Sequence, residues 1–258
     1  MDTPLITRRD ERGVVTLTMN RPDSFNALGE EMLHALQTAF DEVARDASAR
    51  VVVLGAAGTA FCPGHNLREM TARPELAYYQ QLFARCSRVM LAIQKLPVPV
   101  IARVQGVATA AGCQLVAQCD LAAASTQASF AVSGVNVGLF CSTPSVPLVR
   151  NMLPKQAMEM LLTGEFIDAH EARARGLVNR VAEPELLDAE VGKLVDSILR
   201  KPREALAMGK ALFYQQREMG VEAAYQLAGQ AMAVNMMEAA AQEGVRAFTQ
   251  KRKPSWAG

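Results

Sequence analysis

Two short runs of wholly apolar residues set the strongest limit on the fold. Residues 51–54 (Val-Val-Val-Leu) and 99–102 (Pro-Val-Ile-Ala) contain no polar position, so strands formed there should be covered on both faces. A helical pattern precedes each run, and a turn rich in glycine and alanine follows it. Buried strands that alternate with helices are typical of parallel sheets, so the sequence predicts an α/β fold.

The rest of the first 140 residues repeats this order. An alternating, β-branched segment predicts a first strand, and Asn20-Arg21-Pro22-Asp23 ends it. The pattern indicates recurring units of strand, strand and helix, without a strict sequence repeat. The predicted elements are strands at 14–19, 120–123 and 129–131, a helix with Leu33, Leu36, Phe40 and Val43 on one stripe, and helices at about 79–94 and 110–118.

After about residue 143 helical patterns dominate. One stripe consists of Leu187, Val191, Leu194, Val195 and Ile198, and residues 204–250 are rich in alanine, methionine, leucine, glutamate and glutamine. The methionines and alanines predict helices with several apolar faces. Such helices pack either against a neighbouring subunit or as a cap on their own chain.

Composition excludes several classes of function. The 27 basic and 26 acidic residues give a net charge of +1, which argues against a nucleic-acid-binding protein. No apolar run is long enough for a signal peptide or a membrane span, so a cytoplasmic protein without membrane partners is expected, or a mature organellar one. The cysteines are odd in number and lack metal-binding spacing, so we expect reduced, buried thiols and no metal site. They are Cys62, Cys86, Cys113, Cys119 and Cys141.

Two turns of small residues follow the two buried strands. The first is residues 61–67 (Phe-Cys-Pro-Gly-His-Asn-Leu) and the second is residues 106–113 (Gly-Val-Ala-Thr-Ala-Ala-Gly-Cys). Small residues let a ligand approach the backbone, and free N–H groups at a helix start attract negative charge. Two such groups aimed at one oxygen form an oxyanion hole. Tight helix packing explains the same small residues equally well.

Several motifs in a fixed order carry a family resemblance. Asn20-Arg21-Pro22 with Asn26-Ala27-Leu28, the two turns above, and the tail ending at Lys251-Arg-Lys-Pro254 resemble the enoyl-CoA hydratase/isomerase (crotonase) family. The resemblance covers nearly the whole chain. Gly-His in the first turn and Ala-Ala-Gly-Cys-Gln in the second are similar to one branch in particular, the enoyl-CoA hydratase domain-containing protein 3 group.

The resemblance implies a fold and an assembly. The family fold is a crotonase-like spiral of ββα turns with a C-terminal α-helical trimerisation region. Residues 1–195 would form the spiral core with its pocket, and residues 196–258 the helical oligomerisation region. A homotrimer or a dimer of trimers is expected, together with lyase or isomerase chemistry on CoA thioesters of fatty acid metabolism.

The resemblance also implies residue roles. The backbone N–H groups of His65 and Ala111 would hold the carbonyl oxygen of a CoA thioester, which is expected as substrate or ligand and not as a permanently bound cofactor. Phe248 and Lys251 of a neighbouring subunit would approach the nucleotide end of CoA. The CoA channel would be lined by Ala27, Leu28, Gly64, Asn66 and Leu67.

The chain departs from the family at the residues that perform hydration. Hydratases use two glutamates, and Gln114 and Gly134 stand at those positions, while Ser142 replaces an aspartate of another subset. General acid–base catalysis contributes about 10²–10⁴-fold. The chain is therefore expected to bind acyl-CoA thioesters and to be a poor hydratase. A non-catalytic acyl-CoA-binding or regulatory protein is the alternative.

Other polar residues near these motifs are weaker candidates. Asn136, Cys141 and Ser142 are expected to line the pocket, and the His65 imidazole is a minor candidate for catalysis. Asp120 is expected to be structural. Glu69 is expected to lie on a solvated helix face, the alternative being that it bends inward toward the first turn.

Overall fold

Nine strands and eleven α-helices make up residues 3–256, the part of the chain that the computed structural model describes. The strands are β1 (Ile6–Glu11), β2 (Val14–Met19), β3 (Val51–Ala56), β4 (Val100–Val104), β5 (Ala108–Thr109), β6 (Leu121–Ser125), β7 (Ser129–Ala131), β8 (Ile167–Asp168) and β9 (Arg180–Ala182). The helices are α1 (Glu30–Arg45), α2 (Leu67–Ala72), α3 (Leu76–Lys95), α4 (Ala111–Gln118), α5 (Ser142–Asn151), α6 (Pro154–Thr163), α7 (Ala169–Ala174), α8 (Leu187–Leu199), α9 (Arg203–Gln216), α10 (Val221–Met237) and α11 (Ala239–Thr249).

A six-stranded sheet with the order β1-β2-β3-β4-β6-β9 forms the centre of the fold. All neighbours in it are parallel except β1 and β2. Every residue of β3 is buried, as the apolar run predicts. The register pairs Val52 with Val100, so β3 and β4 end side by side and send their following loops to the same edge. A smaller sheet, β5-β7-β8, lies beyond that edge.

Helices cover both faces of the large sheet. On one face the predicted α1 stripe is buried in the main core together with residues of α3. On the other face the predicted α8 stripe packs against Val51, Val53 and Ile101 of β3 and β4. Residue 195, the predicted domain boundary, therefore lies within a helix that packs on the sheet, and the division at that point stays a prediction. None of the helices within residues 3–256 has the length and apolarity to cross a membrane.

Two edge strands lack the sequence signals of the others. β1 (Ile-Thr-Arg-Arg-Asp-Glu) is almost entirely exposed and pairs only with β2, so its formation depends on backbone hydrogen bonds. β9 is three residues long and closes the opposite edge beside β6. Because neither strand has a buried side-chain pattern, periodicity does not reveal them. The turn rich in glycine and alanine that was expected directly after residues 51–54 also begins later, since Gly55 and Ala56 continue β3.

A buried ion pair holds α9, the first of the C-terminal helices, against the core. The Lys210 ammonium of α9 lies 2.6 Å from the Asp120 carboxylate and also donates to the carbonyls of Ile93 and Val98. The side chains of Lys210 and Asp120 are only 7% and 15% exposed. The Tyr214 hydroxyl and the Val100 N–H donate to the same carboxylate. Asp120 is thus structural, as expected.

Replacing Lys210 with methionine should destabilise the protein. The change keeps the apolar stem but leaves the Asp120 carboxylate buried without its cation, and breaking such a pair costs about 3–5 kcal/mol. Urea unfolding followed by circular dichroism measures the loss. Lys193→Met is the control, because Lys193 pairs with Glu190 at an exposed position of α8 and should leave the midpoint nearly unchanged. Equal midpoints for the two variants would contradict the role given to Lys210.

Candidate functional site

The two small-residue turns meet at the edge where β3 and β4 end. Cys62 and Ala108 form a parallel bridge, and the Thr109 N–H donates to the Cys62 carbonyl at 3.0 Å. A Cβ on Gly112 would lie 2.0 Å from that carbonyl oxygen, inside van der Waals contact. Glycine at 112 is therefore what lets the first turn of α4 press against the first loop.

The two loops also come close together at Gly64 and Ala110. Gly64 has φ +99°, and a Cβ there would lie 2.9 Å from Ala110 Cβ and 3.1 Å from the Ala111 nitrogen. Ala110 itself has φ +50° and ψ −121°, a conformation that costs a non-glycine residue about 1–3 kcal/mol. The chain thus holds strained backbone directly before Ala111.

This arrangement leaves two backbone donors without partners. The neighbouring backbone groups are paired: the Leu28 N–H donates to the Gly64 carbonyl, and the Asn66 N–H to the Leu28 carbonyl. Within residues 3–256 the N–H groups of His65 and Ala111 have no hydrogen-bond acceptor. Ala111 is also the first residue of α4, where the helix dipole adds positive potential. The two residues can therefore bind an oxygen that carries negative charge.

A cavity of about 670 Å³ opens beside these donors. It brings together most of the residues predicted from the sequence, while Leu28 and Gly64 lie buried behind its wall and contribute backbone contacts. The predicted residues that line it are Ala27, His65, Asn66, Leu67, Ala111, Gly134, Cys141 and Ser142.

The His65 side chain is held by the backbone. Its Nδ1 lies 3.1 Å from the Leu28 carbonyl oxygen, so Nδ1 carries the proton that it donates. The ring packs edge-to-face on Phe83 at 5.4 Å between centroids. Burial lowers the pKa of His65, although the Leu28 carbonyl and the Glu69 charge oppose this shift. The imidazole is therefore neutral at pH 7, and its buried Nε2 has no partner within the described residues.

Glu69 differs from its prediction. Its carboxylate accepts the Glu30 N–H at 3.0 Å and the Asn66 side-chain amide at 2.8 Å. The expectation of a solvated helix face is thus wrong, because Glu69 caps the start of α1 and restrains the first loop at the same time. A Cβ on Gly29 would lie 2.2 Å from the Glu69 carboxylate, so a side chain there would have to displace this cap.

Gln114 and Gly134, the positions predicted to correspond to the family glutamates, do not face each other across one cavity. Gln114 is 3% exposed and lines a second cavity of about 440 Å³, not the first. Gly134 lines the first cavity but has no room for a side chain. A Cβ there would lie 2.3 Å from the Leu139 carbonyl oxygen and 2.8 Å from the Cys141 sulfur.

Asn136 does not line either of these two cavities. It belongs to the 3₁₀ turn Ser133–Val137, which directs its side-chain amide to the Gly164 carbonyl at 3.4 Å, after the end of α6. The amide thus joins two loops, and the pocket role of Asn136 stays a prediction.

The thiols near the site are poor nucleophiles. Burial raises the pKa of Cys62 and of Cys113 to about 12. Burial also raises the pKa of Cys141, whose sulfur accepts the Gly134 N–H at 3.3 Å. These thiols stay protonated near neutral pH, in agreement with the expected structural role.

Phe248 and Lys251 lie outside the first cavity of their own chain. Phe248 is 85% exposed on α11, and Lys251 follows that helix with φ +54°. The prediction that they reach the cavity of a neighbouring subunit stays a prediction.

Sequence reasoning missed several lining residues. They come from the 3₁₀ turn Pro22–Ser24, from α2 and α3, and from the segment before α5. Most are apolar, and no motif distinguishes them from core residues. They include Phe25, Met70, Phe83, Leu139 and Phe140.

Several known proteins resemble this chain over nearly its whole length. The family model described as enoyl-CoA hydratase/isomerase matches residues 9–258. Enoyl-CoA hydratase domain-containing protein 3, mitochondrial, from Xenopus laevis is 44% identical over 98% of this chain and 86% of that protein. The crystal structure of an enoyl-CoA hydratase from Mycobacterium smegmatis superposes with a TM-score of 0.97 at 61% identity, covering 99% of this chain and 100% of that one. The human domain-containing protein 3 structure gives 0.94 at 43% identity, with 98% and 100% covered. These likenesses confirm the predicted fold class and branch.

The lowered pKa of His65 predicts a pH dependence of stability. The folded state binds the imidazole proton less well than the unfolded state, whose pKa is about 6.5. This contribution is fully present above about pH 6.5 and is lost as the pH falls from there toward the folded pKa. His65→Asn, which keeps a donor for the Leu28 carbonyl, should therefore flatten the fall of the urea midpoint between about pH 7 and 5.

The matched control is His170→Asn, at an exposed position of α7. It should keep the slope of the unaltered protein. Identical slopes for His65→Asn and the unaltered protein would show that His65 titrates alike in both states.

Proposed function

Because the chain belongs to the enoyl-CoA hydratase/isomerase family, we propose that it binds a CoA thioester in the 670 Å³ cavity. The thioester carbonyl oxygen accepts hydrogen bonds from the N–H groups of His65 and Ala111. The unpartnered state of these two donors, which belong to residues lining one cavity, is the observation that carries the proposal. Two fixed donors polarise the carbonyl and stabilise an enolate more strongly than the neutral thioester.

The rest of CoA extends along the first loop toward solvent. Ala27, Asn66 and Leu67 line this path, and Arg68 at the cavity wall offers a guanidinium suited to phosphate oxygens. In an assembled homotrimer or dimer of trimers, Phe248 and Lys251 of a neighbouring subunit complete the nucleotide end. Large exposed apolar residues on α10 and α11 support such an assembly of the 196–258 region. They include Met232, Met237, Val245 and Phe248.

The acid–base groups of hydration are missing from this cavity. A glutamine at 114 cannot titrate near neutral pH, and Gly134 has no side chain and no space for one. Among the described lining residues Asp23 is the sole carboxylate, and it belongs to an exposed 3₁₀ turn. The protein therefore activates a bound thioester but is a poor hydratase.

A non-catalytic acyl-CoA-binding or regulatory protein is the second candidate. It is favoured by the protonated state of the Cys113 and Cys141 thiols together with the two replaced glutamates. The cytoplasmic location expected from the sequence stays a prediction, since the Xenopus relative is named mitochondrial.

Hydration of crotonyl-CoA should be slow. Without both carboxylates we expect turnover at least about 10²-fold below the 1–10³ s⁻¹ of ordinary enzymes. The absorbance of the conjugated thioester at pH 7 measures it, and turnover in the ordinary range would contradict the proposal.

Mass spectrometry of saturated, unsaturated and hydroxylated acyl-CoAs incubated with the protein separates the two candidates. Conversion of any thioester excludes the non-catalytic one.

Gly64→Ala should weaken acyl-CoA binding by about tenfold or more, since its Cβ displaces Ala111 and two hydrogen bonds are worth about 0.5–1.5 kcal/mol each. Isothermal titration calorimetry with butyryl-CoA measures this. Gly138→Ala is the matched control, because Gly138 also has a left-handed φ (+79°) but its Cβ would meet nothing within 4 Å. Both variants lose some stability from strain. Equal affinity for butyryl-CoA in both would contradict a carbonyl site at Ala111.

A further inference from the structure

Gln114 differs from the other buried polar residues of the described chain. Three polar side chains there are buried: Asn26, Gln114 and Ser125. Asn26 makes three hydrogen bonds and Ser125 accepts the Gln127 N–H. The Gln114 amide makes none with residues 3–256, and its Oε1 is buried without a partner. A buried amide without a partner is unfavourable, so this side chain needs a partner that the chain itself does not supply.

The second cavity, of about 440 Å³, lies directly against this amide. Its wall carries two further glutamines, Gln94 and Gln118, and the Ser87 hydroxyl. The charged side chains at the wall come from other elements and have partners: Asp120 binds Lys210, Glu218 binds Arg150, and the Arg217 guanidinium lies over the Phe213 ring and donates to the Arg150 carbonyl. The side of the cavity formed by α3 and α4, which includes Gln114, therefore offers uncharged donors and acceptors. Such a surface suits a hydroxyl, keto or amide group better than a carboxylate or a phosphate.

The second cavity adjoins the first. Thr143 lines both of them. Ala111 and Gln114 lie three residues apart on α4 and so share one face of that helix. A chain whose carbonyl oxygen sits at the Ala111 N–H can therefore continue along α4 toward Gln114. Beyond Gln114 the cavity extends to Phe213 and Tyr214 of α9.

We propose that the second cavity receives the far end of the acyl chain and that Gln114 selects chains with an uncharged oxygen-bearing end, such as a terminal hydroxyl. The proposal rests on the proposed function, because it places the thioester carbonyl at His65 and Ala111. Rotation of the amide about χ3 lets Gln114 present either its oxygen or its NH₂ to the ligand. A hydroxyl both donates and accepts, so it pairs with either orientation.

A purely apolar chain end is a poorer occupant of this cavity. A methyl group beside Gln114 leaves the amide unpaired or displaces water that had satisfied it, and either outcome weakens binding. A terminal hydroxyl replaces that water with an equivalent partner. The affinity difference between two acyl chains of the same carbon number, measured with and without the Gln114 amide, therefore reports on this contact.

The test compares hexanoyl-CoA with 6-hydroxyhexanoyl-CoA by calorimetry. The unaltered protein should bind the hydroxylated thioester about three- to tenfold more tightly, as expected from one net hydrogen bond. Gln114→Leu, which keeps the volume and removes the amide, should abolish or reverse this preference. Gln80→Leu, the same change at an exposed position of α3 outside these two cavities, should keep it. Circular dichroism confirms that each variant is folded, and Gln114→Met replaces Gln114→Leu if the latter is not.

The outcomes separate the two proposals. If neither thioester binds the unaltered protein, the proposed function fails and this inference fails with it. If both thioesters bind the unaltered protein equally, the CoA site stands and the selection by Gln114 is overturned. A preference that persists in Gln114→Leu overturns the role of Gln114 in the same way.

Discussion

The contact between the first turn of α4 and the loop after β3 is the constraint on which the site depends. Gly112 sits so close to the Cys62 carbonyl that no other residue fits without moving the backbone. The parallel register of β3 and β4 brings the two loops to the same edge, and this contact then sets their separation. The N–H groups of His65 and Ala111 are left unpaired as a result. The positive φ of Ala110 shows that the fold tolerates local strain to keep this geometry.

A second set of contacts fixes the first loop from the side of α1. The Leu28 backbone makes hydrogen bonds with the residues on both sides of His65. The Leu28 carbonyl also accepts a hydrogen bond from the His65 imidazole. Glu69 links the same loop to the start of α1 through Asn66 and the Glu30 N–H. The segment from Leu28 to Glu30 therefore supports the site although its side chains contribute little to the cavity. Rigid support of this kind lets backbone donors act without reorganisation when charge develops.

Much of this could be predicted from the sequence, and the exceptions have a common physical origin. The buried strands and the α1 and α8 stripes were predictable because burial leaves a periodic apolar pattern. The loop motifs were predictable because close backbone contacts demand small residues. β1 was not, since an exposed edge strand needs only backbone pairing. The contacts of Glu69 and Asn136 could not be predicted, nor could the cavity that Gln114 faces. Each depends on which distant segment packs beside the residue. The same is true of Gly134, whose lack of space comes from a carbonyl five residues away.

The crowding at Gly134 also limits how this part of the cavity wall can change. The Leu139 carbonyl and the Cys141 sulfur occupy the volume that a side chain at 134 would need. The same turn is held in place by the Leu139 N–H, which donates to the Gly134 carbonyl, and by the Gly134 N–H, which donates to the Cys141 sulfur. A glutamate at 134 therefore needs more than one substitution, because the turn from 134 to 141 has to open before any side chain fits. Placing a carboxylate at this point of the cavity by design thus means rebuilding a loop and not exchanging one residue.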